Sequence, residues 1–282
     1  MTTAPSTVQH ALTWAQTLGL PRLEAQMLLL HALGRPLNDR AWLLMNDQSA
    51  LQTNTHQHFA HAVQRRLATE PVAYITGVKE FFGLHLQVDA RVLDPRADTE
   101  TLVEWALSCL ADVPTPQVVD LGTGSGAIAL ALKHSRPDAH MHAVDASTDA
   151  LAVAQANATQ LGLDVRFHAG SWLSPFDARM KFDAIVSNPP YIASADAHLA
   201  ALTHEPLSAL ASGVDGLDDL RIIVSQAGQH LQPGGWLLLE HGYDQAQAVQ
   251  DLLGNSGFTQ VQSHADLAGI LRCSGGRWPI VK

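Results

Sequence analysis

The chain has 282 residues, 46% of them hydrophobic and 16% charged, with a formal net charge of -10. That length suits one large domain with a smaller one beside it, and the composition is that of a chain that buries a core instead of remaining disordered. The acidic balance argues against a protein that grips nucleic acid across a broad face, because phosphate neutralisation needs clustered Lys and Arg.

Taken in order, the stretch Met1 to Gln9 is polar and lacks the basic flank of a secretion leader. The apolar run Met27 to Leu30 is far too short to cross a bilayer, so the expected compartment is the cytoplasm. Cys109 and Cys273 lie far apart and match no metal-ligand spacing; they read as thiols in a reducing compartment, and no metal site is expected. Up to about Glu70 the chain reads as helix, with Leu12, Ala15 and Leu18, then Leu23, Met27, Leu30 and Leu33, at helical spacing. Gly19 with Pro21 and Gly34 with Pro36 punctuate it, and a further helix is predicted over Ser49 to Leu67. His56, His58 and His61 on that helix do not share one face and read as solvated; Arg35, Arg40, Arg65 and Arg66 also read as solvent-facing.

The pattern changes at Val72 to Leu93, where Leu84 to Val88 nearly alternates and Gly77 and Gly83 interrupt the run, predicting a β-hairpin between two domains. The boundaries follow: a helical domain over 1–73, a linker over 74–94 and a catalytic domain over 95–282. Beyond Asp98 strands are predicted at Gln117–Asp120, Met141–Val144, Val165–His168, Ala184–Ser187, Trp236–Glu240 and Thr259–Gln262. Helical stretches between several of them point to an α/β fold with a parallel, doubly wound sheet.

Two signals carry chemistry. The apolar strand Val118 to Leu121 runs into Gly122-Thr123-Gly124-Ser125-Gly126 and then a helix. Glycines there bring backbone N–H groups against a ligand, but the third comes one residue too early for a dinucleotide cradle. Asp145, ending the next strand, suits the two hydroxyls of a ribose, with Ser147 left to cap the following helix. Trp172 after the third strand offers an indole to an adenine ring, although a core role is open to it as well. The more specific signal is Ser187-Asn188-Pro189-Pro190-Tyr191, closing an apolar strand. The prolines fix the backbone and hold Asn188 at the strand end. The Asn188 side-chain oxygen and the Pro189 carbonyl can accept both hydrogens of a planar NH2 group, and Tyr191 can pack on its plane. Glu240-His241 at the end of a late strand could act near the site as an acid–base pair, but reads more readily as structural, since strand ends often carry polar residues.

These motifs together resemble class I (Rossmann-like) methyltransferases acting on amide or exocyclic nitrogen. Tyr74-Ile75-Thr76-Gly77-Val78-Lys79-Glu80-Phe81-Phe82-Gly83-Leu84, Asp94-Pro95-Arg96-Ala97-Asp98-Thr99-Glu100, and Glu205-Pro206 with Gly213-Val214-Asp215-Gly216-Leu217 are similar to stretches of the HemK/PrmC family, the peptide chain release factor glutamine methyltransferases. The resemblance implies S-adenosyl-L-methionine as cofactor, held by Gly122, Thr123, Gly124, Ser125, Gly126, Asp145, Trp172 and Asn188. It implies a substrate glutamine, from the Gly-Gly-Gln motif of class 1 release factors, held by Asn188, Pro189, Pro190 and Tyr191, with Asn188, Pro189 and Tyr191 catalytic. It also implies that the helical first domain recognises the substrate. The chain departs from the family pattern at Asp94, Ala97 and Ser171, where an aliphatic residue, a proline and an acidic residue are usual. A monomer is expected, with a release factor as partner and no membrane or direct nucleic-acid contact. A ribosomal-protein glutamine methyltransferase, an adenine-amino methyltransferase acting on a flipped base, and a non-catalytic ligand-binding protein are the competing readings.

Overall fold

The structure, a computed structural model, describes residues 7–280; most of the polar stretch read from Met1 lies outside them. It divides into two compact units, Met1–Val78 and Lys79–Lys282.

The first unit contains helices α1 (Val8–Thr17), α2 (Arg22–Ala32), α3 (Arg40–Met45), α4 (Thr53–Leu67) and α5 (Val72–Thr76). The helices stand where periodicity predicts them, but the buried stripe is rotated. On α1 it is Val8, Ala11 and Ala15, while Leu18 is 41% exposed. On α2 it is Ala25 with Leu28, Leu29 and Leu30, while Leu23 is 47% exposed. On α1 the small alanines let a neighbouring helix approach closely, so they, rather than Leu18, mark the packed face. Val72 to Thr76, predicted as part of the hairpin, is instead a turn of helix. Four apolar residues in a row suit either state. Pro71 ahead (φ -56) and left-handed Gly77 behind (φ 74) decide for helix.

The hairpin follows as β1 (Val78–Phe81) and β2 (Leu84–Gln87). Its two turn residues, Phe82 (φ 50) and Gly83 (φ 77), both have positive φ, as the twist of a tight hairpin demands.

The remaining elements are α6 (Glu100–Cys109), β3 (Gln117–Leu121), α7 (Ala127–Ser135), β4 (His140–Asp145), α8 (Thr148–Leu161), β5 (Val165–Ala169), β6 (Phe182–Ser187), α9 (Asp218–Ala227), β7 (Leu231–Glu240), α10 (Ala246–Asn255), β8 (Thr259–Ala265) and β9 (Leu271–Arg277). The seven strands β3 to β9 form one sheet in the order β5-β4-β3-β6-β7-β9-β8. The central strands are parallel, and β9 runs antiparallel to β7 and β8. One face packs Val118, Met141, Ala143, Ala184, Val186 and Leu238 against α6 and α7. The other packs Val119, Leu121, Val144, Ile185, Leu237 and Leu239 against α9 and α10. Burial on both faces is why these strands read as continuous apolar runs.

The sheet is therefore mixed, not wholly parallel, and β9 has no counterpart among the six predicted strands. Its sequence, LRCSGGR, shows no alternation of large apolar residues, yet Cys273 to Gly276 are buried. A Cβ on Gly275 would lie 2.7 Å from the Leu237 carbonyl oxygen and 2.8 Å from the Trp105 ring. The strand is made of small residues because nothing larger fits between its neighbours, and that removes the pattern by which a strand is recognised.

Candidate active site

The parallel register brings the expected site residues to one edge of the sheet. Leu121 of β3 pairs with Val144 of β4 on one side and Ser187 of β6 on the other, and Ser187 pairs with Leu239 of β7. One residue further along, Asp145, Gly122, Asn188 and Glu240 therefore stand in a row at the carboxyl ends of four adjacent strands. The chain leaves β3 for β4 and β5 on one side and returns to β6 and β7 on the other, which makes this edge the switch point where open α/β sheets bind ligands. Ser187 donates its hydroxyl to the Leu121 carbonyl at 2.7 Å and ties the two central strand ends together.

In the glycine turn, Gly122, Gly124 and Gly126 have φ of 71, 55 and 85, a region that L side chains rarely enter. A Cβ on Gly126 would come 3.0 Å from Leu130 and 3.2 Å from Ala154, whereas one on Gly124 would meet nothing within 4 Å. Gly126 is thus glycine for helix packing and backbone conformation, while Gly124 faces open space. Asp145 accepts the Gly124 N–H and the Ser147 N–H, each at 2.9 Å. The helix cap belongs to Ser147, whose hydroxyl accepts the Ala150 N–H at 3.1 Å. Trp172, at φ 50, lays its ring against the turn, 3.3 Å from where a Gly122 Cβ would be. It also packs on the apolar cluster beneath, so the core and ligand roles are not exclusive.

Two buried residues that the sequence reading passed over shape this half. Asn157, fully buried, donates to the Ser125 carbonyl at 2.9 Å and exchanges hydrogen bonds with the Gln87 backbone at 2.7 and 3.0 Å. Asp120, also fully buried, accepts from the Thr123 hydroxyl at 2.6 Å and the Ala129 N–H at 3.3 Å, but its Oδ1 has no partner. Burial raises its carboxyl to about 7 against the pull of those donors. An orphaned carboxylate oxygen under an open glycine turn suits a ligand that carries positive charge.

In the other half, Pro189 is buried and Asn188, Pro190 and Tyr191 are half-buried. Gln245 donates to the Tyr191 carbonyl at 3.0 Å and holds the loop after the prolines. Burial, reinforced by the negative charge of Glu240, pushes the Tyr191 phenol above its ordinary value, so it stays protonated. The Asn188 amide nitrogen donates to the Thr99 hydroxyl at 3.2 Å. Glu240, 1% exposed, lies next to both: burial lifts its carboxyl to about 7, and the nearness of Thr99 and Asn188 pulls it back.

The pair Glu240-His241, read as structural, divides. His241 is buried and engaged at both ring nitrogens, with the Gly242 carbonyl at 2.8 Å and the Ser274 hydroxyl at 2.7 Å. Glu240 instead adjoins the site. The sequence held one clue, a glutamate closing an apolar strand, but only the register with β6 puts it beside Asn188. Asp94, in place of an aliphatic residue, is buried yet ion-paired to Lys79 at 3.1 Å and Arg96 at 3.7 Å. Arg96 also pairs with buried Glu205 at 2.5 Å. Ala97 opens the short 3-10 turn that carries Asp98 and Thr99, and Ser171 is exposed. Within the first unit, His56 packs near Trp14, while His58 and His61 line a cleft of about 290 Å³ with His31 and Arg65.

Residues 8–77 match the family model of the PrmC N-terminal domain, and residues 98–265 that of the Methyltransferase small domain. Over 260 residues the chain is 49% identical to the release factor glutamine methyltransferase of Bordetella pertussis, covering 92% of this chain and 95% of that one. The chain belongs to the release factor glutamine methyltransferase family. Another member, from Xylella fastidiosa strain Temecula1, is 47% identical over 95% of this chain and 98% of its own length. Among solved structures, a methyltransferase from Pyrococcus furiosus superposes with a TM-score of 0.54 at 18% identity, over 78% of this chain and all (100%) of that one. A 16S rRNA methyltransferase of T. thermophilus, in complex with AdoMet and guanosine, superposes with a TM-score of 0.51 at 21% identity, over 71% of this chain and 49% of that one. At such identities these two share the fold alone with this release factor glutamine methyltransferase, whose methyl donor is S-adenosylmethionine.

Proposed function

We propose that this chain transfers a methyl group from S-adenosyl-L-methionine to the side-chain amide nitrogen of the glutamine in the Gly-Gly-Gln motif of class 1 peptide chain release factors. The observation that carries the reading is the row of strand ends, with the Asp145–glycine half and the Asn188–Tyr191 half one pairing step apart. The bound donor supplies an electrophilic methyl group on a sulfonium centre.

The chain's residues do the rest. Gly122 to Gly126 would present backbone N–H groups to the bound donor, Asp145 would take the ribose hydroxyls, Trp172 would lie along the adenine, and the buried carboxyl of Asp120 would add negative potential behind the turn without touching the donor. Amide nitrogen is a poor nucleophile because its lone pair is spread into the carbonyl. Asn188 Oδ1 and the Pro189 carbonyl accept its two hydrogens, hold it in place and stabilise the positive charge that grows as the new bond forms. Tyr191 fixes the plane of the amide, and one N–H proton is released to water after transfer. Flanking glycines let the target loop thread into a narrow cleft. The helical first unit recognises the substrate and the chain acts as a monomer; a net charge of -10 supports a protein target over a nucleic acid. Two free cysteines suit the reducing cytoplasm, where release factors work.

The test is incubation of the purified protein with labelled S-adenosylmethionine and a class 1 release factor, followed by mapping of the product by mass spectrometry. A single methyl group on the Gly-Gly-Gln glutamine is expected. Label elsewhere in the release factor, or only on a ribosomal protein or an adenine, overturns the proposal.

A further inference from the structure

The reading of Asn188 leaves one requirement unmet. A carboxamide has an accepting end and a donating end of nearly equal shape, and rotation by half a turn exchanges them. Only with Oδ1 towards the substrate can Asn188 accept an amide hydrogen; with Nδ2 there it would present a donor to a donor. Something must hold the side chain one way round.

The surroundings supply it. Asn188 Nδ2 donates to Thr99 Oγ1 at 3.2 Å, and the register of β6 with β7 puts the buried Glu240 beside Asn188, its carboxyl close enough to Asn188 and Thr99 to be influenced by both. Thr99 is 4% exposed and Glu240 1%, so water cannot replace either partner, and Glu240 Oε2 has no partner of its own. An ionised carboxylate is an acceptor only. It welcomes the Nδ2 hydrogens and repels Oδ1, and in a dry site that preference is strong. Glu240 closes β7 where its neighbour Leu239 pairs with Ser187, so the backbone fixes its distance from Asn188. On the other side Glu240 pairs with Cys273 of β9, and Arg272 of β9 binds Asp98, next to Thr99, at 3.2 Å.

We propose that Glu240, acting with Thr99, is a positioning residue that locks the Asn188 carboxamide with its oxygen towards the substrate nitrogen. The inference rests on the amide-holding role of Asn188 described above. A protonated Glu240 gains a donor, which can pair with Oδ1 and stabilise the reversed amide, so turnover should need the carboxylate. The charged and titratable groups facing it are Asp98 of the 3-10 turn, Tyr191 after β6, and Arg272 and Cys273 of β9. Asp98 favours the protonated form and Arg272 the ionised one; Tyr191 and Cys273 are held neutral by burial.

The experiment compares Glu240→Ala, Glu240→Gln, Thr99→Val and Asn188→Ala in the full chain, measuring kcat, S-adenosylmethionine affinity and the pH profile on a release factor. Glutamine can turn its oxygen to Asn188 but does not titrate. Wild-type kcat should fall about tenfold per pH unit below about pH 7, and Glu240→Gln should stay within about threefold of wild type at alkaline pH and lose that acidic limb. Glu240→Ala should lose about a hundredfold in kcat with cofactor affinity little changed, and Thr99→Val a smaller part of it. Thermal melts separate loss of folding from loss of function, and the glutamine variant, nearly isosteric, keeps the test open if alanine does not fold. The inference is overturned if Glu240→Gln keeps the acidic limb, if it falls as far as the alanine variant, or if Glu240→Ala turns over normally while Asn188→Ala does not. Should Asn188→Ala itself be fully active, the amide-holding reading fails along with it.

Discussion

At the scale of single residues, the two halves of the site should answer differently to truncation. Asp145 accepts the Gly124 and Ser147 N–H groups, so it shapes the glycine turn in addition to the ribose role proposed for it. Asp145→Ala removes both and should weaken S-adenosylmethionine binding by about 2 kcal/mol, near thirty-fold in Kd by calorimetry, with kcat at saturation much less affected. Asn188→Ala should show the reverse, a loss of about a hundredfold in kcat with a small change in Kd. Unchanged affinity in the Asp145 variant would remove that residue from the cofactor site. Both residues were legible in the sequence because a glycine run and an Asn-Pro-Pro-Tyr run each mark a backbone conformation. Glu240, Thr99 and Asp120 were not, because an isolated polar residue acquires its role from neighbours many residues away.

At the scale of elements, β9 shows what local pattern omits. It supplies Arg272, which braces Asp98 at 3.2 Å and Asp266 at 2.9 Å, and it backs Glu240 through the pair with Cys273. Gly275→Ala would drive a methyl group towards the Leu237 carbonyl and the Trp105 ring. A loss of about 1–3 kcal/mol in urea unfolding is expected, with a fall in kcat from the displaced edge. On α8 the cap is a cleaner case: Ser147→Ala leaves the Ala150 N–H unpartnered and should cost about 1 kcal/mol.

At the scale of the molecule, buried titratable groups set how stability responds to pH. His142, 4% exposed, stacks on His168 with ring centroids 5.2 Å apart, hydrogen-bonds it at 3.0 Å and leaves Nε2 without a partner. Burial, then the charge of His168, lowers it from 6.5 to about 4. The folded state therefore binds this proton less readily than the unfolded state. Its contribution is fully present above 6.5 and is lost as pH falls towards about 4. His142→Phe, among the edges of Phe176 and Phe182, should flatten the acid limb of Tm against pH and gain up to about 2 kcal/mol relative to wild type near pH 5. An unchanged slope would assign the limb to other groups. Asp120 acts in the opposite sense: raised from 3.8 to about 7, it favours the folded state below its ordinary value, and that advantage drains as pH rises through about 7. The solved methyltransferases that superpose on this chain at 18–21% identity share its sheet, so the architecture alone does not select the acceptor.

By itself the sequence determined the helical first unit, the hairpin, the order of strands and helices up to β8, the glycine turn with Asp145 and the proline-locked Asn188. Each of these is written in a few consecutive residues or in a period of two or four. Tertiary structure alone decided that Val72 to Thr76 is helical, that β9 enters antiparallel between β7 and β8, and that Glu240 and Thr99 close around Asn188. Those outcomes turn on which strand lies beside which and on how little room remains between them, and no local run of residues encodes either.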